Sequence, residues 1–177
     1  MSAASVALLG HRAADRACRR WVAARVRDLS GVDGSRAVGL GRGTAPFTGL
    51  LAKRHQYVLA AGTPTRPMVV VRCGASGPAV RVDRRELLEV EPEIDGRFDL
   101  VLAIDAIRRL DTDEVVLPHL GWLLAPGGSL LAVDPVGPAD WATVRRRYQT
   151  ILRGARIEAV QSEVMGLCWR APPVITA

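Results

Sequence analysis

The order of apolar segments constrains this chain more than any other feature. Short strand-like runs such as "RAVGL", "QYVLAAG" and "RFDLVLAID" alternate with stretches of helical spacing along the 177 residues. Strands that alternate with helices pair through crossover connections, which give a mostly parallel sheet with helices on both faces. The sequence therefore predicts an α/β fold in one compact domain. We expect a helical segment over residues 1–34 and the α/β domain over residues 35–177.

The first helix is expected over about residues 13–29, where Cys18, Val22, Val26 and Leu29 recur at a spacing near 3.6 residues. The arginines between them fall on another side and predict a solvated basic face. Further helices are expected at residues 44–54 and 113–124, the latter ended by "APGG", and in "ADWATVRRRYQTILRGA". The segment "TPTRPMVVVRCGASG" is assigned a short helix from its position between strands.

The remaining strands complete a predicted sheet of seven. A third, a fourth and a fifth strand are expected in "AVRVD", "RFDLVLAID" and "SLLAVDP", and a final hairpin-like pair in "RIEAVQSE" and "VMGLCWRA".

Composition excludes several function classes. The net charge of +6 comes almost entirely from arginines spread along the chain, whereas a nucleic-acid footprint clusters its charge on one face. Three distant cysteines without a Cys-x-x-Cys pair predict neither zinc nor disulfides, and we expect no metal site. No run approaches the ~18 apolar residues of a membrane span, and the N-terminus lacks a basic leader. We expect a cytoplasmic protein without membrane or nucleic-acid partners.

The stretch "RAVGLGRGTAPFTGLLAKR" is a strand that breaks into glycines and restarts as a helix. An α/β fold uses this arrangement to bring bare backbone to a nucleotide-like ligand. The dinucleotide fingerprint Gly-x-Gly-x-x-Gly is absent: Gly39, Gly41 and Gly43 are two apart, and Thr44 and Pro46 stand where a third glycine would be needed. This spacing argues against NAD and FAD.

Four segments resemble class I S-adenosylmethionine-dependent methyltransferases and occur in that family's order. They are "VGLGRGTAPF", "GRFDLVLAIDAIRRL", "LLAPGGSLLAVDP" and the two last strands. The resemblance covers about residues 35–172. It implies a Rossmann-like fold with a seven-stranded sheet, S-adenosylmethionine as cofactor and a methyl-transfer reaction.

The resemblance also implies cofactor-binding positions. Gly39, Gly41, Gly43 and Thr44 match the glycine-rich loop, although Gly39 replaces the acid with which the family's loop opens. Gly62 stands at the end of the second strand, where the family places an acid on the ribose hydroxyls. Losing two charge-assisted hydrogen bonds of about 1.5–3 kcal/mol each would weaken binding by roughly two to four powers of ten.

Carboxylates after the later strands supply the other candidates. An acid after the third strand contacts the adenine in the family, and Glu86 matches it, with Asp83 as the alternative register. Asp105, after the fourth strand, is the candidate catalytic base or substrate anchor. Asp134 follows the fifth strand and precedes Pro135, so it either serves the same edge or caps a turn.

Several basic side chains are left without a settled role. Arg108 and Arg109 replace the His-His pair of many small-molecule methyltransferases; they either hold an anionic substrate or are solvated, and they cannot act as a base. Arg42 either contacts the cofactor or blocks the pocket. The histidines lie away from the predicted strand ends and receive no role: His11, His55 and His119.

Three functions fit these features. The first is a methyltransferase with an eroded cofactor site, acting on a small molecule or on a substrate that a partner presents. The second is a non-catalytic subunit of the same fold, as a homo-oligomer or beside an active paralogue. The third is a non-methylating enzyme, such as a cyclase, that reuses the cleft.

Overall fold

The computed structural model describes residues 3–29, 35–40, 42–61, 69–72, 79–82, 89–104, 113–136, 139–153, 156–161 and 164–170. Within these ranges the helices are α1 (Ala3–Leu29), a 3-10 helix (Arg42–Phe47), α2 (Thr48–Ala52), α3 (Pro92–Asp95), α4 (Asp113–Leu123) and α5 (Trp141–Ile151). The strands are β1 (Arg36–Leu40), β2 (Tyr57–Ala61), β3 (Val69–Arg72), β4 (Ala79–Val82), β5 (Phe98–Ile104), β6 (Leu124–Pro135), β7 (Arg156–Gln161) and β8 (Val164–Arg170).

The described strands form one sheet in the order β3-β4-β2-β1-β5-β6-β8-β7. The central five strands, from β4 to β6, pair in parallel. At one edge β8 is antiparallel to both β6 and β7, as expected of the predicted final pair. The α/β class, the mostly parallel sheet and the closing pair are therefore confirmed.

The predicted helix in "TPTRPMVVVRCGASG" is wrong for the part that the structure describes. Val69–Arg72 is β3, an eighth strand, which pairs antiparallel with β4 at the other edge of the sheet. Three consecutive β-branched valines lose side-chain freedom in a helix and pack well on a pleated surface. Local preference thus prevailed over the position between strands that had suggested a helix.

Three helix boundaries also differ from the prediction. The first helix, α1, begins at Ala3 rather than near residue 13. The helix expected over residues 44–54 is a 3-10 helix followed by the short α2. The third difference is small: the helix expected over residues 113–124 is confirmed as α4, one residue shorter, but the predicted stop "APGG" lies inside β6.

The "APGG" segment forms a bulge in β6. Phe98 pairs with Leu124 and Leu100 pairs with Ser129, so four residues of β6 stand opposite one residue of β5. A Cβ at Gly128 would lie 2.9 Å from the Phe98 carbonyl oxygen, closer than a real Cβ approaches backbone. The bulge therefore requires a glycine there.

Each face of the sheet is covered by its own apolar cluster. On one face, the helices α4 and α5 contribute Leu120, Leu123 and Tyr148. On the other face, α1 contributes Cys18, Val22 and Val26, as predicted, and packs with residues of the 3-10 helix and of α2. The arginines expected on the solvated side of α1 are exposed: Arg16, Arg20 and Arg27.

Candidate functional site

The carboxyl ends of the parallel strands lie side by side at one end of the sheet, which we call the carboxyl edge. It runs across the strands and is not one of the two lateral edges, which β3 and β7 form. Leu40, the last residue of β1, pairs with Ala61 of β2 and with Ala103 of β5. The 3-10 helix begins at Arg42, two residues after β1. Ligands of open α/β sheets bind at this edge, so the expected site lies where the glycine-rich loop leaves β1.

Gly39 is buried in β1 and is fitted to the side chain of Thr44. A Cβ on Gly39 would lie 3.2 Å from the Thr44 Cβ, tighter than most real contacts, and Thr44 is itself only 1% exposed. A side chain at position 39 would therefore require Thr44 to shift by a few tenths of an ångström.

Gly43 holds the loop against the end of β5. A Cβ there would overlap the Ile104 Cγ2 and lie 2.9 Å from the Ile104 Cβ. Only a glycine allows this approach without moving β5 or the 3-10 helix. The loop therefore sits directly against the residue that precedes Asp105 in the sequence.

The structure brings three of the predicted site residues together: Gly39, Gly43 and Thr44. The others lie outside the described residues, and their assignments stay predictions: Gly41, Gly62, Glu86 with its alternative Asp83, Asp105, and the pair Arg108 and Arg109. Arg42 begins the 3-10 helix, but its side chain is outside the description.

Asp134 places a buried carboxylate near the same edge. It follows Val133, which pairs with Ile104, and only 1% of its surface is exposed. It also pairs with Met165 of β8, so it is a strand residue. Asp134 is therefore a buried strand residue near the carboxyl edge, and the choice between a role at that edge and a turn-capping role stays a prediction.

The opposite edge, which we call the amino edge, holds a polar cluster that the sequence prediction missed. The Ser35 hydroxyl and His55 Nδ1 are 2.9 Å apart, in the segments that lead into β1 and β2. The Arg36 backbone N–H donates to Asp99 Oδ2 at 2.8 Å, and the Arg36 guanidinium lies 4.3 Å from the centre of the Tyr57 ring. The partners are 20 to 63 residues apart, so no local pattern signals the cluster.

Burial sets the protonation of His55. The residue is 5% exposed, and desolvation lowers the pKa of its imidazole below the ordinary 6.5. The Asp99 carboxylate partly offsets that effect on the pKa, whereas Arg54 adds to it. His55 is thus a neutral imidazole at neutral pH that ties the amino ends of two strands. Ser35 and His55 resemble a nucleophile and its base, but the Ser35 residue is only 7% exposed and lies away from the ligand edge.

The described residues contain no group of three or more His, Cys, Asp or Glu side chains that could hold a metal ion. In the same part of the chain, no helix combines the length and the apolar character that a bilayer crossing requires.

Comparison with solved structures defines the fold. A methyltransferase chain from Haloferax volcanii, in complex with the Trm112 methyltransferase activator, superposes with a TM-score of 0.61 at 12% identity, covering 95% of this chain and 94% of that one. The 1,6-didemethyltoxoflavin-N1-methyltransferase of Burkholderia thailandensis, with bound S-adenosylhomocysteine, gives 0.60 at 14% identity over 79% and 72%. No family model and no curated protein sequence matches the chain.

A third similar structure is the N-methyltransferase NodS from Bradyrhizobium japonicum in complex with S-adenosyl-L-homocysteine. Its TM-score is 0.56 at 15% identity, covering 86% of this chain and 87% of that one. The fold of this chain is accordingly that of the class I S-adenosylmethionine-dependent methyltransferases, as the sequence resemblance implied. Identities of this size show the fold and leave the activity to the residues of the site.

Proposed function

We propose that this chain is an S-adenosylmethionine-dependent methyltransferase that binds its cofactor at the carboxyl edge. The observation that carries the proposal is the fit of Gly43 against Ile104, which folds the loop tightly over the end of β5. A tight loop at this edge brings backbone, free of Cβ atoms, to a nucleoside. Two of the similar structures hold S-adenosylhomocysteine, the demethylated form of this cofactor.

The described residues fit the backbone part of such a site but provide no acid at the end of β1. We assign Gly39, Gly41, Gly43 and Thr44 to shaping the loop, with Gly62 at the end of β2. We therefore expect the cofactor to bind more weakly than at a site with both acids, by roughly two to four powers of ten. The cofactor would supply an activated methyl group, and the protein would contribute chiefly by positioning the acceptor for in-line transfer.

Two carboxylates are assigned to the remaining roles. Glu86, or Asp83 in the alternative register, would accept hydrogen bonds from the adenine amino group. Asp105 follows Ile104 directly and would anchor or deprotonate the acceptor. The acceptor is a small molecule or a substrate presented by a partner, and the proposal keeps a cytoplasmic location.

Calorimetric titration of S-adenosylmethionine and S-adenosylhomocysteine into cofactor-free protein tests the proposal. We expect saturable binding and a rise in the unfolding midpoint, about 2.7 kcal/mol of stabilisation at a hundredfold excess over Kd. Glu86→Gln should weaken binding about tenfold or more, since a charge-assisted hydrogen bond is lost. Glu89→Gln is the matched control, because the Glu89 side chain is exposed and lies only three residues away.

The variants also separate the remaining assignments. If Asp83→Asn weakens cofactor binding and Glu86→Gln does not, the adenine contact is assigned to Asp83. Asp105→Asn should leave cofactor affinity unchanged and reduce methyl transfer to an acceptor. Absence of heat and of thermal stabilisation at millimolar cofactor would refute the proposal for the isolated chain.

A second candidate is a non-catalytic subunit that supports another protein. A Cβ at position 39 would crowd the buried Thr44, which favours a loop retained for its shape. The similar Haloferax volcanii chain was solved together with a methyltransferase activator, so a partner subunit fits this fold. Sedimentation of the chain alone and with a co-encoded methyltransferase is the test: a stable complex without cofactor binding would favour this candidate over the first.

A further inference from the structure

A cavity of ≈ 380 Å³ lies at the start of the edge strand β7, away from the glycine-rich loop. We call it the arginine cavity, because three arginines from three elements line it. Its full lining is Arg25, Asp28 and Leu29 of α1, Arg145 and Gln149 of α5, Arg156 and Ile157 of β7, and Cys168 of β8. The volume falls within the range of small-molecule pockets.

The sheet explains how these elements meet. Arg156, the first residue of β7, pairs with Cys168, so both side chains stand on the same face of the sheet. Cys168 packs against the cluster that includes α1, which puts Arg156 on the α1 side. Ile157 points to the other face, toward the α5 cluster. The cavity therefore extends around the start of β7, from the α1 side of the sheet to the α5 side.

The cavity carries an excess of positive charge. Three guanidinium groups line it against one carboxylate, that of Asp28. Arg25 lies 3.6 Å from that carboxylate and 5.6 Å from the centre of the Trp21 ring. Neither Arg145 nor Arg156 forms an ion pair with another side chain in the described ranges. Two exposed guanidinium groups, those of Arg145 and Arg156, thus face a cavity whose single carboxylate is already paired with Arg25.

The cavity is distinct from the carboxyl edge. Arg156, Cys168, Leu131, Leu102 and Gly39 form one row across five strands. Adjacent strands lie about 4.8 Å apart, so four steps separate Arg156 from Gly39 by roughly 19 Å. A ligand in the arginine cavity would not occupy the proposed cofactor cleft.

We propose that the arginine cavity binds a small phosphomonoester whose organic part is apolar. A phosphate carries about −1.5 to −2 charges at neutral pH and three acceptor oxygens, which matches two guanidinium forks better than a single carboxylate does. Leu29, Ile157 and Cys168 provide the apolar surface for the rest of the molecule. Gln149, four residues after Arg145, stands on the same side of α5 and offers a further donor.

The test titrates phenyl phosphate into the full chain by calorimetry and by ³¹P NMR at low ionic strength. We expect saturable binding of one equivalent, weaker binding of inorganic phosphate because the apolar contact is missing, and weaker binding of benzoate because its charge is smaller. Arg156→Gln and Arg145→Gln should each raise Kd about tenfold or more. Arg16→Gln is the matched control, since Arg16 is exposed on α1, outside the cavity, and the change in net charge is the same.

The outcomes are decisive in both directions. Equal weakening by Arg16→Gln and Arg156→Gln would show unspecific attraction to a basic protein and overturn the proposal, as would the absence of saturation. Arg156→Lys should recover part of the affinity, because it keeps the charge but loses the two-pronged hydrogen bonding. Affinity for S-adenosylmethionine should be the same in all these variants, so failure at this site and failure at the carboxyl edge are distinguishable.

Discussion

The amino edge and the carboxyl edge of the sheet differ in the kind of contact that their residues make. At the amino edge, polar side chains bind one another: Ser35 contacts His55, and Asp99 accepts a hydrogen bond from the Arg36 backbone. At the carboxyl edge, the described loop is shaped by close contacts of glycines with apolar or small side chains. The polar groups of the amino edge bind one another, whereas the glycine-rich loop of the carboxyl edge brings backbone to the expected ligand site.

This difference separates stability from ligand binding. In α/β folds the carboxyl ends of the strands hold the ligand, so a polar cluster at the other end contributes to stability. A Ser–His contact at 2.9 Å would suggest catalysis if its position were ignored. We therefore expect substitutions at the amino edge to change the free energy of unfolding without changing cofactor affinity.

The largest effect is expected from Gly43→Ala. The new methyl group would meet Ile104, and overpacking of this kind costs about 3 kcal/mol. Denaturant unfolding should show the loss, whereas Gly49→Ala, whose Cβ meets nothing within 4 Å, should be neutral or slightly stabilising. Adding Ile104→Ala to Gly43→Ala should recover part of the loss, and strictly additive effects would contradict the contact.

Ser35→Ala should cost about 1–2 kcal/mol of unfolding free energy, because the buried His55 Nδ1 loses its partner. Thr143→Ala on the exposed side of α5 is the control and should change little. Cofactor affinity should be unchanged in both variants. If Ser35→Ala lost methyl transfer but kept its stability, the assignment of stability to the amino edge and of ligand binding to the carboxyl edge would be wrong.

Acidification should reduce stability through His55. Because the folded state lowers the pKa of His55 below 6.5, the unfolded chain binds the extra proton first as pH falls. Stability is full above pH 6.5 and declines from there down to the folded pKa, at no more than about 1.4 kcal/mol per pH unit. Chemical denaturation across this range should show the decline, and His55→Gln should remove most of it. An unchanged slope in that variant would exclude His55 as the source.

Arg36→Met should give the smallest change, about 0.5–1 kcal/mol, because the apolar stem is kept and the contact of the guanidinium with the Tyr57 ring is lost. Arg16→Met, on the exposed side of α1, is the control. Unfolding curves of the two variants that coincide would show that the ring contact contributes nothing.

Features that depend on neighbouring residues were predictable from the sequence. The runs that became β1 and β5 and the buried stripe of α1 follow from local patterns. Of the residues predicted for the carboxyl edge from strand order, Gly39, Gly43, Thr44 and Asp134 fall in the described ranges, and their roles stay predictions. β3 was missed because its β-branched run conflicted with its place between strands.

Features made by distant residues were not predictable. His55 received no role because it lies away from the predicted strand ends, and its partner Ser35 is 20 residues away in the sequence. The arginine cavity was missed because Arg25, Arg145 and Arg156 come from separate elements and only the folded sheet brings them to one place. Both cases need the three-dimensional pairing of strands, which one sequence does not contain.

The position of α1 in the chain has a consequence for synthesis of the protein. Val22 and Val26 pack with Leu100 of β5 and with Leu131 and Val133 of β6, which are translated roughly 75–110 residues later. At ~5–20 residues per second, the ribosome needs roughly 4–20 s to deliver these partners. Until then, only the earlier members of the same cluster can cover the apolar stripe of α1: Ala37, Phe47, Leu51 and Val58.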